Sequence, residues 1–219
     1  MKFVLILVSV FLLAAILRKA FRYKTLAPLL PRKYNFGKRR DTLNEVLRLM
    51  DERNAKVLVE TGVARMGLAK SKGDGASTIV FGLWASKNDA HLYSVDIDPE
   101  ATKRAGEAVS DMGLSDSVTL VTSDSVAYLD EFTDTVDFLY LDSYDYHKTD
   151  TAIQTASQEH HLKEIKAIEG CLHDDTIILI DDCDMPNGGK GKLVIERLTG
   201  QGWKVHMLSL IHISEPTRR

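Results

Sequence analysis

The chain of 219 residues has only two cysteines, Cys171 and Cys183, and only five prolines. So few cysteines exclude a disulfide framework, and their spacing is not that of a metal site, which indicates a reducing compartment. Hydrophobic residues make up 44% of the chain, which excludes an intrinsically disordered or fibrous protein. The length fits one α/β domain of ordinary size with a short extension.

Acidic residues are absent between Arg18 and Arg40, a stretch that contains nine Lys/Arg. Residues 41–207 have the opposite character, because 30 Asp/Glu outweigh 16 Lys/Arg there. So acidic a domain repels a polyanion, and we expect no nucleic-acid partner. The basic stretch follows an apolar segment, where the headgroups of anionic lipids would attract it. An anionic membrane surface is therefore an expected partner.

The apolar segment covers residues 3–17 and contains no charged residue. It is shorter than the roughly 20 residues that span a bilayer, so a cleaved signal peptide and a buried core helix are alternatives. No clean cleavage site is present, and Arg18 and Lys19 follow directly, which favours an uncleaved anchor with the domain in the cytoplasm. We expect residues 1–24 to be a single-pass membrane anchor with its basic flank, and residues 25–40 a basic linker.

The other end of the chain, residues 208–218 (LSLIHISEPTR), resembles the translation of a transposase adapter used in sequencing libraries. A natural strand with a polar end is the alternative. On the adapter interpretation, residues 208–219 lie outside the fold and the natural sequence stops near Met207. The C-terminal edge strands of the domain would then be truncated.

Residues 41–207 alternate apolar strand patterns with helical patterns, which is typical of βαβ units and a parallel sheet. A sixth strand begins near residue 203, and five precede it, at 56–60, 91–96, 118–122, 137–141 and 176–180. We therefore predict an α/β fold with a doubly wound, mostly parallel Rossmann-like sheet, preceded by the N-terminal hydrophobic helix. Ligands of such sheets bind at the carboxyl ends of the strands.

The first predicted strand ends in an acid, Glu60, and is followed by small and hydroxyl residues up to the next helix. These residues are Thr61, Gly62, Gly73, Gly75 and Ser77. Glycine lets the backbone approach a ligand closely, and a helix N-terminus offers free N–H groups. The carboxylate of Glu60 would repel a pyrophosphate but suits the ammonium group of a methionine moiety.

Acids also end the next two predicted strands. Asp96 ends the second strand, where a carboxylate can accept both ribose hydroxyls of an adenosine. Asp124 and Ser125 follow the third strand, where they can read the edge of an adenine. Each residue alone is also an ordinary turn or capping residue. Together, acids at three successive strand ends indicate a site for an adenosine-containing ligand.

These motifs resemble those of the class I S-adenosylmethionine-dependent methyltransferases, over about residues 41–207. The resemblance implies that Glu60 and Gly62 lie near the methionine part of S-adenosylmethionine. It also implies that Asp96 binds the ribose and that Asp124 lies near the adenine.

The chain departs from this family in one respect. The glycine-rich loop of the family is usually compact, whereas residues 63–72 intervene here as a candidate lid or substrate loop. Two other functions stay open: a Rossmann-type enzyme that uses NAD or a nucleotide sugar, and a membrane-tethered module without catalysis. Glu60 and the lack of a compact G-x-G-x-x-G motif argue against the first of these.

Three further carboxylates belong to the ends of the fourth and fifth strands: Asp142, Asp181 and Asp182. In this fold the two strand ends are neighbours, so the three would converge beside the methyl donor. Unpaired carboxylates raise each other's pKa, and Mg²⁺ or another divalent cation would relieve their repulsion. The alternative is that Asp181 and Asp182 cap a loop or helix while Asp142 alone touches the substrate.

The arrangement of these acids resembles the metal-dependent O-methyltransferases, in which a metal orients a substrate hydroxyl. The resemblance implies O-methylation of a small-molecule, sugar or lipid-linked acceptor, with Asp142 in the catalytic centre. His147, shortly after Asp142, is the candidate general base, because the pKa of histidine lies near neutral pH. An exposed loop histidine without a catalytic role is the alternative.

Overall fold

The computed structural model describes residues 2–23, 39–67, 76–207 and 212–216. The chain forms two units, Met1–Asn35 and Phe36–Arg219. The described part of the first unit is helix α1 (Lys2–Tyr23). Within the described residues, no helix is both long enough and apolar enough to cross a bilayer. The predicted basic linker lies outside the described residues up to position 38.

The second unit alternates strands and helices, as the sequence pattern predicts. Its helices are α2 (Arg39–Arg53), α3 (Ser77–Lys87), α4 (Pro99–Asp111), α5 (Ser125–Asp130), α6 (Thr151–Ile168) and α7 (Lys192–Gly200). Its strands are β1 (Val57–Thr61), β2 (His91–Asp96), β3 (Val118–Thr122), β4 (Val136–Leu141), β5 (Leu172–Ile180), β6 (Trp203–Met207) and β7 (His212–Pro216).

The strands form one sheet in the order β3-β2-β1-β4-β5-β7-β6. The first five strands of this order are parallel, and β7 runs antiparallel to both β5 and β6. The doubly wound Rossmann-like prediction is therefore confirmed. The strand order reverses between β1 and β4, and ligands of such sheets bind where it reverses. This topology places the carboxyl ends of β1, β2, β4 and β5 side by side.

Within the described residues the sheet has seven strands, and the predicted truncation of natural edge strands stays a prediction. The seventh, β7, lies in the segment that the sequence assigned to a tail outside the fold. It pairs with β5 at Ile180↔His212 and with β6 at Trp203↔Pro216. Without β7, one edge of β5 would expose unpaired backbone groups, which a strand-forming segment can satisfy. The adapter origin of residues 208–219 stays a prediction.

The core lies along the two central strands, β4 and β5. Their apolar runs are completely buried, as expected for strands that are covered by helices on both faces. Phe81 of α3 packs edge-to-face on Phe138 and Tyr140 of β4, with ring centroids 4.7 and 5.5 Å apart. This packing holds the carboxyl end of β4 rigidly, and Asp142 follows directly after it.

Candidate active site

The turn after β1 passes directly against the end of β4. Gly62 has φ +83°, and its N–H donates to the carbonyl oxygen of Val95 at 2.8 Å. A Cβ atom on Gly62 would lie 2.5 Å from the carbonyl oxygen of Asp142, so only glycine fits there. The predicted glycine position thus brings the turn after β1 into contact with the predicted catalytic acid.

Glu60 is fully buried, and its carboxylate joins three elements. Its Oε2 accepts hydrogen bonds from Ser94 of β2 and, at 2.7 Å, from Thr78 Oγ1 of α3. Thr78 Oγ1 in turn accepts from the N–H of Ala64, at 2.9 Å. Burial raises the pKa of Glu60 to about 7, against the lowering effect of these hydroxyls. The described contacts of Glu60 are with protein groups, and its contact with a ligand ammonium stays a prediction.

The region between Gly62 and α3 has several features of a ligand cradle. The side chain of Thr61 is completely buried, and its Oγ1 has no hydrogen-bond partner among the described residues. Helix α3 begins after Ala76, a residue at φ +59°, without a side-chain cap, and its first residue, Ser77, is buried. Among the described residues no side chain caps this helix start, so its first N–H groups are candidates for contact with a ligand. The predicted Gly73 and Gly75 lie outside the described residues.

Asp96, at the end of β2, has its carboxylate fixed by the backbone. Its Oδ2 accepts from the N–H of Val63 at 3.0 Å, and its Oδ1 accepts from the N–H of Asp98 at 2.9 Å. Each oxygen keeps a further lone pair, and the side chain is only half-buried. The carboxylate can therefore accept two more hydrogen bonds, as the predicted contact with two ribose hydroxyls requires.

Asp124 and Ser125, at the end of β3, have partners of their own. Asp124 is exposed and caps α5 by accepting from the N–H of Ala127 at 2.9 Å. Helix capping is the alternative role that the sequence allowed for this residue. Ser125 is buried, and its Oγ lies 3.1 Å from Nε2 of His160. That ring nitrogen also lies 3.4 Å from the buried carboxylate of Glu164. Sequence reasoning identified neither His160 nor Glu164 as a neighbour of this site.

The structure brings together the three acids that follow β4 and β5. Carboxylate oxygens of Asp142, Asp181 and Asp182 lie within 4.8 Å of one another. Asp181 is buried, while the side chains of Asp142 and Asp182 are 22% and 19% exposed. The acids therefore face a partly open space beside the turn at Gly62.

Two cations, Lys190 and Arg39, pair with the acids of this cluster. The ammonium of Lys190 lies 2.5 Å from Oδ1 of Asp142 and 3.7 Å from Oδ2 of Asp182, and its side chain is only 2% exposed. Arg39 of α2 donates to both carboxylate oxygens of Asp181, at 3.2 and 2.7 Å. Neither cation was predicted from the sequence, in which the three acids stand as unpaired carboxylates. Three converging acids were the available signal, because buried charges need partners.

The backbone around Lys190 is locked into place. Gly189 has φ +58°, and a Cβ atom there would lie 1.9 Å from the carbonyl oxygen of Asp182. Nε2 of Gln158, on α6, donates to the carbonyl oxygens of Asn187 and Gly189 at 3.1 and 3.0 Å. The loop at residues 187–189 is therefore hydrogen-bonded to α6 and packed against the end of β5. It places Lys190 beside the three acids.

The charged groups of the cluster shift one another's pKa. Burial raises the pKa of Asp142 to about 8, an effect that Lys190 opposes and that Asp181 and Asp182 reinforce. Burial also raises the pKa of Asp182. Burial alone would lower the pKa of Lys190, but the three carboxylates outweigh it and raise that pKa. Lys190 is therefore a permanent cation, and Asp142 is a stronger proton acceptor than an ordinary aspartate.

His147 does not suit the predicted role of general base. It is exposed, and its Nδ1 accepts from the N–H of Asp150 at 2.9 Å, just before α6. A neutral imidazole has one lone pair in the ring plane, and this bond uses it. His147 therefore supports the start of α6, and Asp142 is the better candidate for the proton acceptor.

Comparison with known proteins agrees with the fold. The sequence model of a family described as a methyltransferase domain matches residues 72–183, half of the chain. No curated protein matches the chain significantly. Among solved structures, the chain is similar to the methyltransferase PaMTH1 of Podospora anserina, bound to S-adenosylhomocysteine, with 15% identity and a TM-score of 0.59. The match covers 82% of this chain and 79% of that protein.

Two further structures are similar and are described provisionally as O-methyltransferases. One, from Staphylococcus aureus, is described as a caffeoyl-CoA O-methyltransferase; it has 13% identity, a TM-score of 0.59 and coverage of 80% of this chain and 83% of that one. The other, from Klebsiella pneumoniae, has 16% identity, a TM-score of 0.56 and coverage of 80% of each chain. At these identities the likeness shows the shared fold.

Proposed function

The chain belongs to the methyltransferase-domain family as a class I S-adenosylmethionine-dependent methyltransferase, and we propose that it methylates an oxygen atom of a small-molecule, sugar or lipid-linked acceptor. One observation carries this proposal. The turn that would bind the methyl donor touches the backbone of Asp142, whose carboxylate belongs to a cluster of three acids and a buried lysine.

The residues at the ends of β1 and β2 fit S-adenosylmethionine. Its proposed methionine side has three parts: the hydroxyl of Thr61, which has no partner among the described residues, the tight turn at Gly62 and the uncapped start of α3 at Ser77. Asp96, fixed by two backbone N–H groups, is the proposed ribose acceptor. Asp124 and Ser125 are proposed to border the adenine. When bound, the cofactor supplies an electrophilic methyl group on a positively charged sulfur.

The acid cluster provides the groups that a hydroxyl acceptor needs. Held by the residues at the ends of β1 and β2, the bound cofactor would supply its methyl group to the acceptor oxygen and would leave with the electrons of the carbon–sulfur bond on sulfur. Asp142, whose carboxylate pairs with Lys190 beside the turn at Gly62, takes the hydroxyl proton. Lys190 holds this carboxylate in place by a short ion pair. Two structural neighbours described as O-methyltransferases agree with an oxygen acceptor.

The predicted divalent cation does not fit the cluster as it is built. Asp142 pairs with Lys190, and Asp181 pairs through two hydrogen bonds with Arg39. The remaining carboxylate, that of Asp182, lies 3.5 Å from Arg39 and 3.7 Å from Lys190. A metal ion at these oxygens would stand against two positive charges. The proposed mechanism therefore has no step that uses a metal.

Attachment to the cytoplasmic side of a membrane is also part of the proposal, and it rests on the sequence alone. The apolar run at residues 3–17 and the basic stretch between Arg18 and Arg40 support it. Extraction of membranes with alkaline carbonate tests it, because an anchored chain stays in the membrane pellet. Release of the chain into the supernatant would contradict the anchor.

Calorimetry on the full chain tests the cofactor assignment. We expect S-adenosylmethionine and S-adenosylhomocysteine to bind, and NADH and UDP-sugars not to bind. Release of S-adenosylhomocysteine in the presence of a panel of hydroxyl and amine acceptors then tests the oxygen assignment. A folded protein that fails to bind S-adenosylhomocysteine would refute the proposed function, and turnover of amines alone would refute O-methylation.

A further inference from the structure

We infer that the ammonium of Lys190 takes the place of a divalent cation at Asp142 and Asp182, so that this enzyme holds a built-in cation and needs no metal. The inference rests on the proposed function, because it assigns the acid cluster to the methyl acceptor.

The position of Lys190 supports this assignment. Its Nζ lies 2.5 Å from a carboxylate oxygen of Asp142 and 3.7 Å from one of Asp182, between the two acids that a metal would have to bridge. Lysine is almost never fully buried unless it is paired, and here the side chain is 2% exposed. The ammonium is therefore an interior ion of the site, unlike the mobile charge of a surface lysine.

The fold holds Lys190 in this position from both sides. The preceding Gly189 leaves no room for a side chain against Asp182. The following Gly191 is equally confined, since a Cβ atom there would lie 2.5 Å from Sγ of Cys183. With Gln158 also bonded to the carbonyl oxygen of Gly189, the backbone on either side of Lys190 is closely confined.

The charges of the cluster are nearly balanced without a metal. Arg39 pairs with Asp181, and Lys190 serves Asp142 and Asp182, so two positive charges face three negative ones. An ammonium has three N–H donors. With one donor on Asp142 and one towards Asp182, the third is left to hold the acceptor oxygen while Asp142 removes its proton.

Titration of the full chain with Mn²⁺ alone, followed by electron paramagnetic resonance of the free ion, tests this inference. We expect no stoichiometric Mn²⁺ binding to the wild-type chain. Lys190→Met removes the ammonium at similar side-chain length and should bind one Mn²⁺ at least about tenfold more tightly than wild type. Mn²⁺ should also raise the Tm of this variant but not that of wild type.

Two further variants separate charge from general perturbation. Lys190→Arg keeps the positive charge and should resemble wild type in Mn²⁺ binding. Lys192→Met removes an exposed lysine from the start of α7 and should change nothing. If Lys190→Met does not fold, Lys190→Gln carries the same expectation, because it keeps an N–H donor for Asp142 without the charge.

Stoichiometric Mn²⁺ binding to the wild-type chain would overturn the inference. So would a folded, uncharged variant at position 190 that binds no Mn²⁺, or equal binding to that variant and to Lys190→Arg. S-adenosylhomocysteine binding is measured on the same samples. A wild-type chain that does not bind S-adenosylhomocysteine would refute the proposed function. A wild-type chain that binds both S-adenosylhomocysteine and Mn²⁺ would refute only the role of Lys190.

Discussion

Gly62 lies so close to the end of β4 that a Cβ atom on it would be 2.5 Å from the carbonyl oxygen of Asp142. The contact joins the proposed cofactor turn to the proposed catalytic acid through backbone atoms alone. Neither the turn at Gly62 nor the backbone of Asp142 can shift without moving a strand end, because β1 and β4 are paired at Thr61 and Leu141. The separation of the proposed donor and acceptor sites thus depends on the close approach that Gly62 allows.

Replacing Gly62 by alanine should therefore damage both stability and cofactor binding. We expect Gly62→Ala to cost more than the roughly 1–2 kcal/mol of a left-handed residue, because the clash adds to the strain, and to abolish detectable S-adenosylhomocysteine binding. Gly113→Ala is the matched control, with φ +69° but open space around its Cβ position. Chemical denaturation and calorimetry measure the two effects, and equal behaviour of the variants would contradict the proposed contact.

Asp96→Ala should weaken the binding of S-adenosylhomocysteine. Loss of two charge-assisted hydrogen bonds to ribose hydroxyls is expected to lower the affinity about a hundredfold. Asp98→Ala is the control from the same turn, because Asp98 caps α4 by accepting from the N–H of Glu100. It should cost about 1 kcal/mol of stability with little change in affinity. Similar affinities of both variants, measured by calorimetry, would rule out the ribose assignment of Asp96.

Arg39→Met should be strongly destabilising, because it strands the buried carboxylate of Asp181 without its two donors. We expect a loss of about 3–5 kcal/mol in the free energy of unfolding, measured in urea. Arg48→Met, on the same helix, removes two exposed ion pairs, with Glu45 and Glu52, and should cost about 1 kcal/mol or less. The double variant Arg39→Met/Asp181→Leu should recover part of the loss, and no recovery would argue against this pair as the cause.

Glu60 should make the protein less stable as the pH rises. Burial raises its pKa from 4.5 to about 7 in the folded state, so the folded protein holds this proton more tightly than the unfolded chain. Stability is then lost between pH 4.5 and 7, by about 3 kcal/mol in total, and stays lost above pH 7. Glu60→Gln cannot titrate and should remove this part of the pH dependence.

The control for Glu60→Gln is Ile79→Val, a buried change on α3 without a titratable group. It should lower stability by a similar amount at every pH. Denaturation curves between pH 4 and 8 measure both variants against wild type. A constant difference between Glu60→Gln and wild type across this range would show that Glu60 does not titrate as proposed.

His161 should make the protein sensitive to acid. Burial lowers its pKa from 6.5 to about 4, and its Nδ1–H donates to the carbonyl oxygen of Ser157 at 2.7 Å. A histidine that is neutral in the folded state takes up its proton more readily when unfolded. Its contribution is therefore intact above pH 6.5 and is lost, by about 3 kcal/mol, as the pH falls to 4.

His161→Leu should remove this acid sensitivity, because leucine fills a similar space and does not titrate. Ile165→Val, another buried change on α6, should leave the pH dependence of stability as it is in wild type. Thermal unfolding between pH 4 and 7.5 distinguishes the two. Equal slopes for His161→Leu and wild type would assign the acid sensitivity to other groups.

The alternation of strands and helices was predictable from the sequence, because buried parallel strands are short apolar runs and helices have their own period. TIILI, within β5, is such a run, and it is completely buried. The convergence of Asp142, Asp181 and Asp182 was predictable too, since parallel strands bring their carboxyl ends to one edge of the sheet. All of these features depend on neighbours that are close in sequence or on the rules of one sheet topology.

The partners of these acids were not predictable in the same way. Lys190 is 48 residues away from Asp142 along the chain, and Arg39 is 142 residues away from Asp181. His147 is close in sequence to Asp142, yet one bond to the N–H of Asp150 takes up its lone pair. Such contacts depend on how loops and helices pack, and this packing cannot be predicted from the spacing of residues along the chain.

Local apolar patterns and parallel topology suffice to predict the five parallel strands, their ends and the acids that stand there. Only the tertiary structure decided the charge state of the site. A carboxylate cluster binds a metal or an internal cation according to what packs against it, and here Lys190 and Arg39 are delivered by a tight glycine loop and a helix from distant parts of the chain.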